Sequence, residues 1–170
     1  MSNSSVVLLG DSTIDNIIWV NQEGTGNPSN LTVTAFLKET LPDKNIVNFA
    51  ADGFTTQNVL SGAVPFLSHQ ARNSTDDPFP VEYKQVFHPL EHLESLPTEE
   101  VDHIVLSVGG NDVREILGKM NMLGDVIQDF WSNYTMILLR CLEITKKVVI
   151  VLQYRPSVDQ DNHYGVYRAI

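Results

Sequence analysis

The chain predicts an α/β fold built on a parallel sheet, and three observations lead there. Short apolar runs alternate with segments of helical periodicity, the order strand, helix, strand, helix that places helices on both faces of a parallel sheet. Two of the runs, Ser5-Val6-Val7-Leu8-Leu9 and Ile104-Val105-Leu106-Ser107-Val108, are continuously apolar rather than alternating, as strands buried on both faces are. Both stop at glycine: Gly10-Asp11-Ser12 after the first, Gly109-Gly110-Asn111-Asp112 after the second. In open α/β sheets the crevice at the carboxyl ends of the strands is where ligands bind.

Each element follows from local pattern. Strand one spans Ser5 to Leu9, and Asn21 to Asn30, with Gly24, Gly26 and Pro28, reads as a loop. Leu31 to Leu41 reads as a helix stopped by Pro42, and Asn45 to Phe49 as a short second strand. Thr56 to His69 has Val59, Leu60, Ala63, Val64 and Leu67 at helical spacing, with a kink expected at Pro65. Arg72 to Pro80 reads as a polar loop, and Tyr83 to Leu96 as a short helix ending before Pro97. The third strand is Asp102 to Val108. Asp112 is expected to cap a helix starting at Val113. A longer helix follows with a wide apolar stripe from Val126 through Phe130, Trp131, Ile137 and Cys141 to Leu142, with Lys146 and Lys147 at its end. Val148 to Leu152 is the fourth strand, and Asp159 to Ile170 reads as the start of a further helix, so a last strand and helix are expected to be missing.

Composition narrows the class of function. The 170 residues suit a single domain, and 42% hydrophobic residues suit a substantial core. A net charge of −10 argues against nucleic acid or an anionic membrane as partner. Cys141 is the one cysteine, so no intrachain disulfide can form, and its apolar neighbours make it a buried thiol. No zinc-type spacing, no run long enough to span a membrane and no room for a signal peptide before Ser5 are found, so a cytoplasmic location is expected.

Three polar loops follow the first three strands and supply chemistry in that order. Ser12 offers a hydroxyl whose own N–H faces the crevice; by itself it could equally cap the segment from Thr13 to Val20. Gly53, in Asn48-Phe49-Ala50-Ala51-Asp52-Gly53-Phe54-Thr55, offers an unobstructed N–H, although an ordinary turn glycine looks the same. Asn111 can present its amide to the crevice, or close a turn. A serine nucleophile with convergent donors for an oxyanion is most of an acyl-transfer site.

With Gly10-Asp11-Ser12, Gly53 and Gly109-Gly110-Asn111-Asp112 in this order, the chain resembles the SGNH hydrolases, the GDSL esterase and lipase family, over Val6 to Leu152. The resemblance implies a three-layer α/β/α, flavodoxin-like fold, with Ser12 as nucleophile and the N–H groups of Ser12 and Gly53 and the amide of Asn111 as oxyanion hole. It implies an acyl-serine mechanism on a carboxylic ester, of short acyl or O-acetyl type, in a small molecule or carbohydrate, with no cofactor or metal. The family's last block, Asp-x-x-His, is not matched: Asp159 and Asp161 stand four and two residues before His163. The base is therefore expected beyond Ile170. The alternative is a catalytically inactive ligand-binding protein that retains the crevice. Oligomeric state is not legible. Trp19 reads as a core residue.

Overall fold

In a computed structural model of the chain, residues 4–16, 32–65, 85–117 and 120–152 are described. The elements are β1 Ser5–Gly10, α1 Val33–Thr40, β2 Asn45–Asn48, α2 Thr56–Ser61, α3 Pro89–Glu94, β3 Val101–Ser107, α4 Gly110–Leu117, α5 Leu123–Ile144 and β4 Val148–Ile150. The four strands form one parallel sheet in the order β2-β1-β3-β4. Its chain order reverses between β1 and β3, an arrangement compatible with a flavodoxin-like layout. The register sets Val7 beside Val47 on one side and Ile104 on the other, and Leu106 beside Ile150.

The uninterrupted apolar run of β1 has its explanation in position: all six residues are buried, because neighbours cover both edges and side chains both faces. Alternation splits the core in two. Val7, Leu9, Val47, Phe49, Ile104 and Leu106 face one layer, packed with Val59 of α2, Leu90 and Leu93 of α3, and Ile137 and Cys141 of α5. Val6, Leu8, Ile46 and Ala50 face the other, where Ile14 and, from α1, Val33 and Leu37 meet them. Burial, with the Glu94 charge, pushes the Cys141 thiol up to about 12, so it stays a protonated core residue as its neighbours imply.

Local chemistry fixes the helix ends. Thr32 Oγ1 accepts from the Ala35 N–H at 3.1 Å and starts α1. Thr55 and Asn58 form a reciprocal capping box for α2. Pro89 occupies the first turn of α3.

Four elements differ from their sequence reading. The helix expected from Thr56 to His69 stops at Ser61, because Gly62 turns to φ 78° and its N–H closes on Asn58 O at 2.9 Å. Ala63 then bridges to Phe87, and the expected Pro65 kink has no helix to bend. The helix after β3 begins at Gly110, so Asp112 lies inside its first turn rather than ahead of it. The stripe of α5 is narrower than its apolar residues suggest, since Trp131 is 48% exposed beside a buried Phe130. β4 is shorter than expected and open at its far edge among the described residues, with Val149 and Ile150 exposed. Trp19, the loops Asn21 to Asn30 and Arg72 to Pro80, and the segment from Asp159 to Ile170 lie outside the described residues. Among the described residues no helix is long and apolar enough to cross a membrane.

Candidate functional site

The carboxyl ends of β1, β2 and β3 lie side by side because the strands are parallel neighbours, and backbone hydrogen bonds continue beyond the strands to lace their loops. Ala51 N–H donates to Gly10 O at 2.9 Å, and Asp11 N–H donates to Ser107 O at 2.9 Å. The loop of Ser12 is thereby tied to the loop of Gly53 on one side and to the end of the strand leading to Asn111 on the other. Gly10 makes that closeness possible. Its φ is 143°, and a Cβ there would stand 1.8 Å from Ser107 O.

Ser12 follows in a tight turn. The Asp11 carboxylate is buried and accepts the Thr13 N–H at 3.0 Å, while Asp11 O accepts from Ile14 and Asp15. This Asx-type turn leaves Ser12 half-buried at the crest of the strand end. Asp15, also buried, accepts the Asp52 N–H on Oδ2 at 2.9 Å and binds the β1 loop to the β2 loop a second time.

Gly53 takes φ 78°, a conformation glycine adopts without strain, and it is partly exposed. Asn111 is second in α4 and nearly buried; its Nδ2 donates to Phe54 O at 3.0 Å. One amide hydrogen thus clamps the loop just after Gly53, and the geometry of an NH₂ group leaves a second hydrogen for another acceptor.

Asp112 has a different task from the cap expected of it. Its carboxylate accepts the Thr56 N–H at 3.0 and 3.1 Å and the Thr56 hydroxyl at 2.5 Å, so it satisfies the start of α2 across 56 residues of sequence. Burial raises its proton affinity, and the Thr56 bonds oppose that rise. Asp112→Ala is expected to cost about 2–3 kcal/mol, since buried donors lose a charged acceptor. Asp112→Asn, which still accepts, is expected to cost about 1 kcal/mol or less. Because the folded-state value is raised, this group's contribution is full below its unfolded value and fades as pH rises through the folded one. Urea melts of Asp112→Asn across the acidic range check this: the variant should lack that slope.

Asp52 and Asp15 escaped the sequence reading. Asp52 sits in the loop after β2, half-buried, and its pKa is raised first by burial and then by the charge of Asp15. The Gly53 N–H, the Ser12 hydroxyl and the Arg114 charge pull the other way. The signal available in sequence was only position: an aspartate immediately before Gly53, and another three residues after Ser12.

The described histidines are engaged elsewhere. His92 stacks on Phe49 and Phe87 at 5.7 and 5.1 Å, His88 packs against Gly62, and His103 lies on β3 with Nδ1 3.4 Å from Asp102. Asp102 is flanked by Lys44 and Lys147, which hold its carboxyl well below the usual range. That cluster marks the amino end of β3, opposite the crevice. His69 and His163 lie outside the described residues. Among the described residues no group of three or more His, Cys, Asp or Glu side chains could hold a metal ion. Neither protein-family models nor the curated proteins give a match to this chain.

Proposed function

We propose that the protein is a serine esterase of SGNH type. Ser12 attacks the carbonyl carbon of a carboxylic ester, in a small molecule or carbohydrate, and an acyl-serine intermediate is then hydrolysed. One observation supports this above the others. The hydrogen bonds Ala51–Gly10 and Asp11–Ser107 gather the loops bearing Ser12, Gly53 and Asn111 at one end of adjacent strands. Those three residues supply a hydroxyl, a backbone N–H free of a side chain, and an amide with a hydrogen to spare, the set an oxyanion intermediate requires.

The strand order and the helices on both faces accord with the three-layer architecture that such an enzyme uses. The reading needs no cofactor or metal, and it takes the chain as a single domain acting in the cytoplasm.

Asn111→Ala is expected to lower kcat/KM for p-nitrophenyl acetate by about 10²–10³-fold, the usual loss for one oxyanion donor. It also strands the Phe54 carbonyl, so a destabilisation of about 1–3 kcal/mol is expected with it. Comparing rates well below both melting temperatures separates the two effects.

The reading as a whole is tested by intact mass after treatment with an alkyl fluorophosphonate, with the adduct mapped by peptide mass. One adduct per chain on Ser12 is the expected outcome. A chain that stays unmodified from pH 4 to 9 and does not hydrolyse p-nitrophenyl acetate has no activated Ser12, and the esterase reading fails for these residues.

A further inference from the structure

The Gly53 N–H can serve an oxyanion only if the turn that carries it is held in one orientation, and glycine by itself favours neither sign of φ. The Phe54 N–H closes on Ala51 O at 3.2 Å, so residues 51–54 form a turn with Asp52 and Gly53 at its corners. Gly53 has φ 78°, and among the described residues only glycines have a positive φ, which is the pattern of a type II turn. Types I and II share the closing bond and differ in the direction of the central peptide, and the Gly53 N–H lies in that peptide.

Side chains from two other loops grip this turn on either side of Gly53. Asn111 Nδ2 donates to Phe54 O at 3.0 Å, just after it. Asp15 Oδ2 accepts the Asp52 N–H at 2.9 Å, just before it. Asp15 is buried, and its own N–H donates to Asp11 O at 2.9 Å in the turn that bears Ser12. Its backbone therefore belongs to the turn of the nucleophile, and its side chain reaches the turn of the donor.

We propose that Asp15 is a positioning residue of the esterase: it sets the geometry between Ser12 and the Gly53 N–H, and so aligns one oxyanion donor with the carbon that Ser12 attacks. This deepens the esterase reading and rests on it.

The bond is more than the fold requires. Backbone bonds from Phe49 to Leu8 and from Ala51 to Gly10 already join the two strand ends. The Asp15 bond is added at the residue directly before the donor. A carboxylate is also an unfavourable choice for a bond that only holds loops together. It is buried, and its charge raises the proton affinity of Asp52 nearby. A neutral acceptor would satisfy the same N–H without that repulsion. What a charged acceptor adds is a shorter, stronger bond, hence a tighter hold on direction. Direction matters at this place, because a misplacement of about 1 Å costs on the order of 10²-fold in rate.

The experiment measures p-nitrophenyl acetate hydrolysis by the full chain, counting the part of the rate that Ser12→Ala removes. Wild type is compared with Asp15→Ala, Asp15→Asn, Gly53→Ala and the double variant Asp15→Ala with Gly53→Ala, all well below their melting temperatures. Asp15→Ala is expected to lower kcat by about 10–10²-fold and to leave KM within about threefold, since the donor acts in the transition state. Asp15→Asn still offers an oxygen to the Asp52 N–H and should recover most of that loss. Gly53→Ala displaces the donor directly, because φ 78° does not suit an L side chain. In that background Asp15→Ala should lower kcat by less than about threefold, since the two residues act through one N–H. A bond that only supports the fold would give losses that multiply. Circular dichroism and melting curves show whether each variant is folded, and Asp15→Ser, whose oxygen is too short to reach, replaces Asp15→Ala if that variant is not. Wild-type kcat in the folded variant, a loss carried by KM alone, or equal losses in both backgrounds overturns Asp15 as a positioning residue and leaves the esterase reading standing. Wild type that neither hydrolyses the ester nor labels on Ser12 fails the esterase reading first, and this inference with it.

Discussion

Ser12→Ala is expected to abolish fluorophosphonate labelling and to cut ester hydrolysis by at least about 10³-fold, while barely moving the melting temperature. The two halves of that expectation have separate physical grounds. Without Oγ there is no atom to form the acyl bond, and only the oxyanion donors remain to help water attack directly. The fold, by contrast, asks little of this hydroxyl. Ser12 is half-buried, and the turn that holds it is built from the carboxylate and carbonyl of Asp11, not from Ser12 itself. Removing this half-buried hydroxyl should change stability by about 1 kcal/mol or less. It should also raise the proton affinity of Asp52 further, since the hydroxyl lowers it. Residual hydrolysis above the background with water would then come from Gly53 and Asn111. Retention of full activity in Ser12→Ala would place the chemistry on another side chain altogether.

How much of this could be read beforehand depends on the range of the interaction. β1 and β3 were legible because continuous apolar runs ending in glycine have few other uses, and Ser12, Gly53 and Asn111 stood out as a serine, a glycine and an asparagine in the loops after the first three strands, in that order. The partners of these residues were not. Asp112 looked like a local cap because Val113 follows it, yet its acceptors serve Thr56, 56 residues earlier. Asp15 reaches the Asp52 N–H across 37 residues. No periodicity encodes such bonds; they exist because parallel pairing brings distant strand ends together. The early stop of α2 has the same origin. Its apolar spacing runs on past Gly62, but the His88 ring from another segment packs where a Cβ at Gly62 would be, 2.4 Å from Nδ1. Trp131 shows the opposite error. Helical spacing put it in the stripe of α5, yet it lies half exposed beside the buried Phe130.

Gly10→Ala is expected to remove about 4 kcal/mol or more of stability, enough to unfold a domain whose total is about 5–15 kcal/mol. Two penalties coincide at this residue. The backbone sits at φ 143°, which an L side chain rarely adopts, and such strain alone costs about 1–3 kcal/mol. The added Cβ would also meet Ser107 O at 1.8 Å and Ser107 C at 2.6 Å. Those are backbone atoms of β3, a strand hydrogen-bonded on both edges, so neither can swing aside as a flexible side chain would. Relief requires β1 and β3 to part, and that breaks the Asp11–Ser107 bond on which the Ser12 loop depends. Activity should therefore fall even in any fraction that stays folded. Gly124→Ala is the matching control. A Cβ there meets nothing within 4 Å, and the position lies in the first turn of α5, so the change should be neutral or stabilise by up to about 1 kcal/mol. Urea denaturation of the two variants beside wild type decides the matter. A Gly10→Ala protein within about 1 kcal/mol of wild type would mean that β1 and β3 do not approach this closely. The Ser12 and Asn111 loops would then no longer be held as neighbours, and the site built from them would lose its geometric basis.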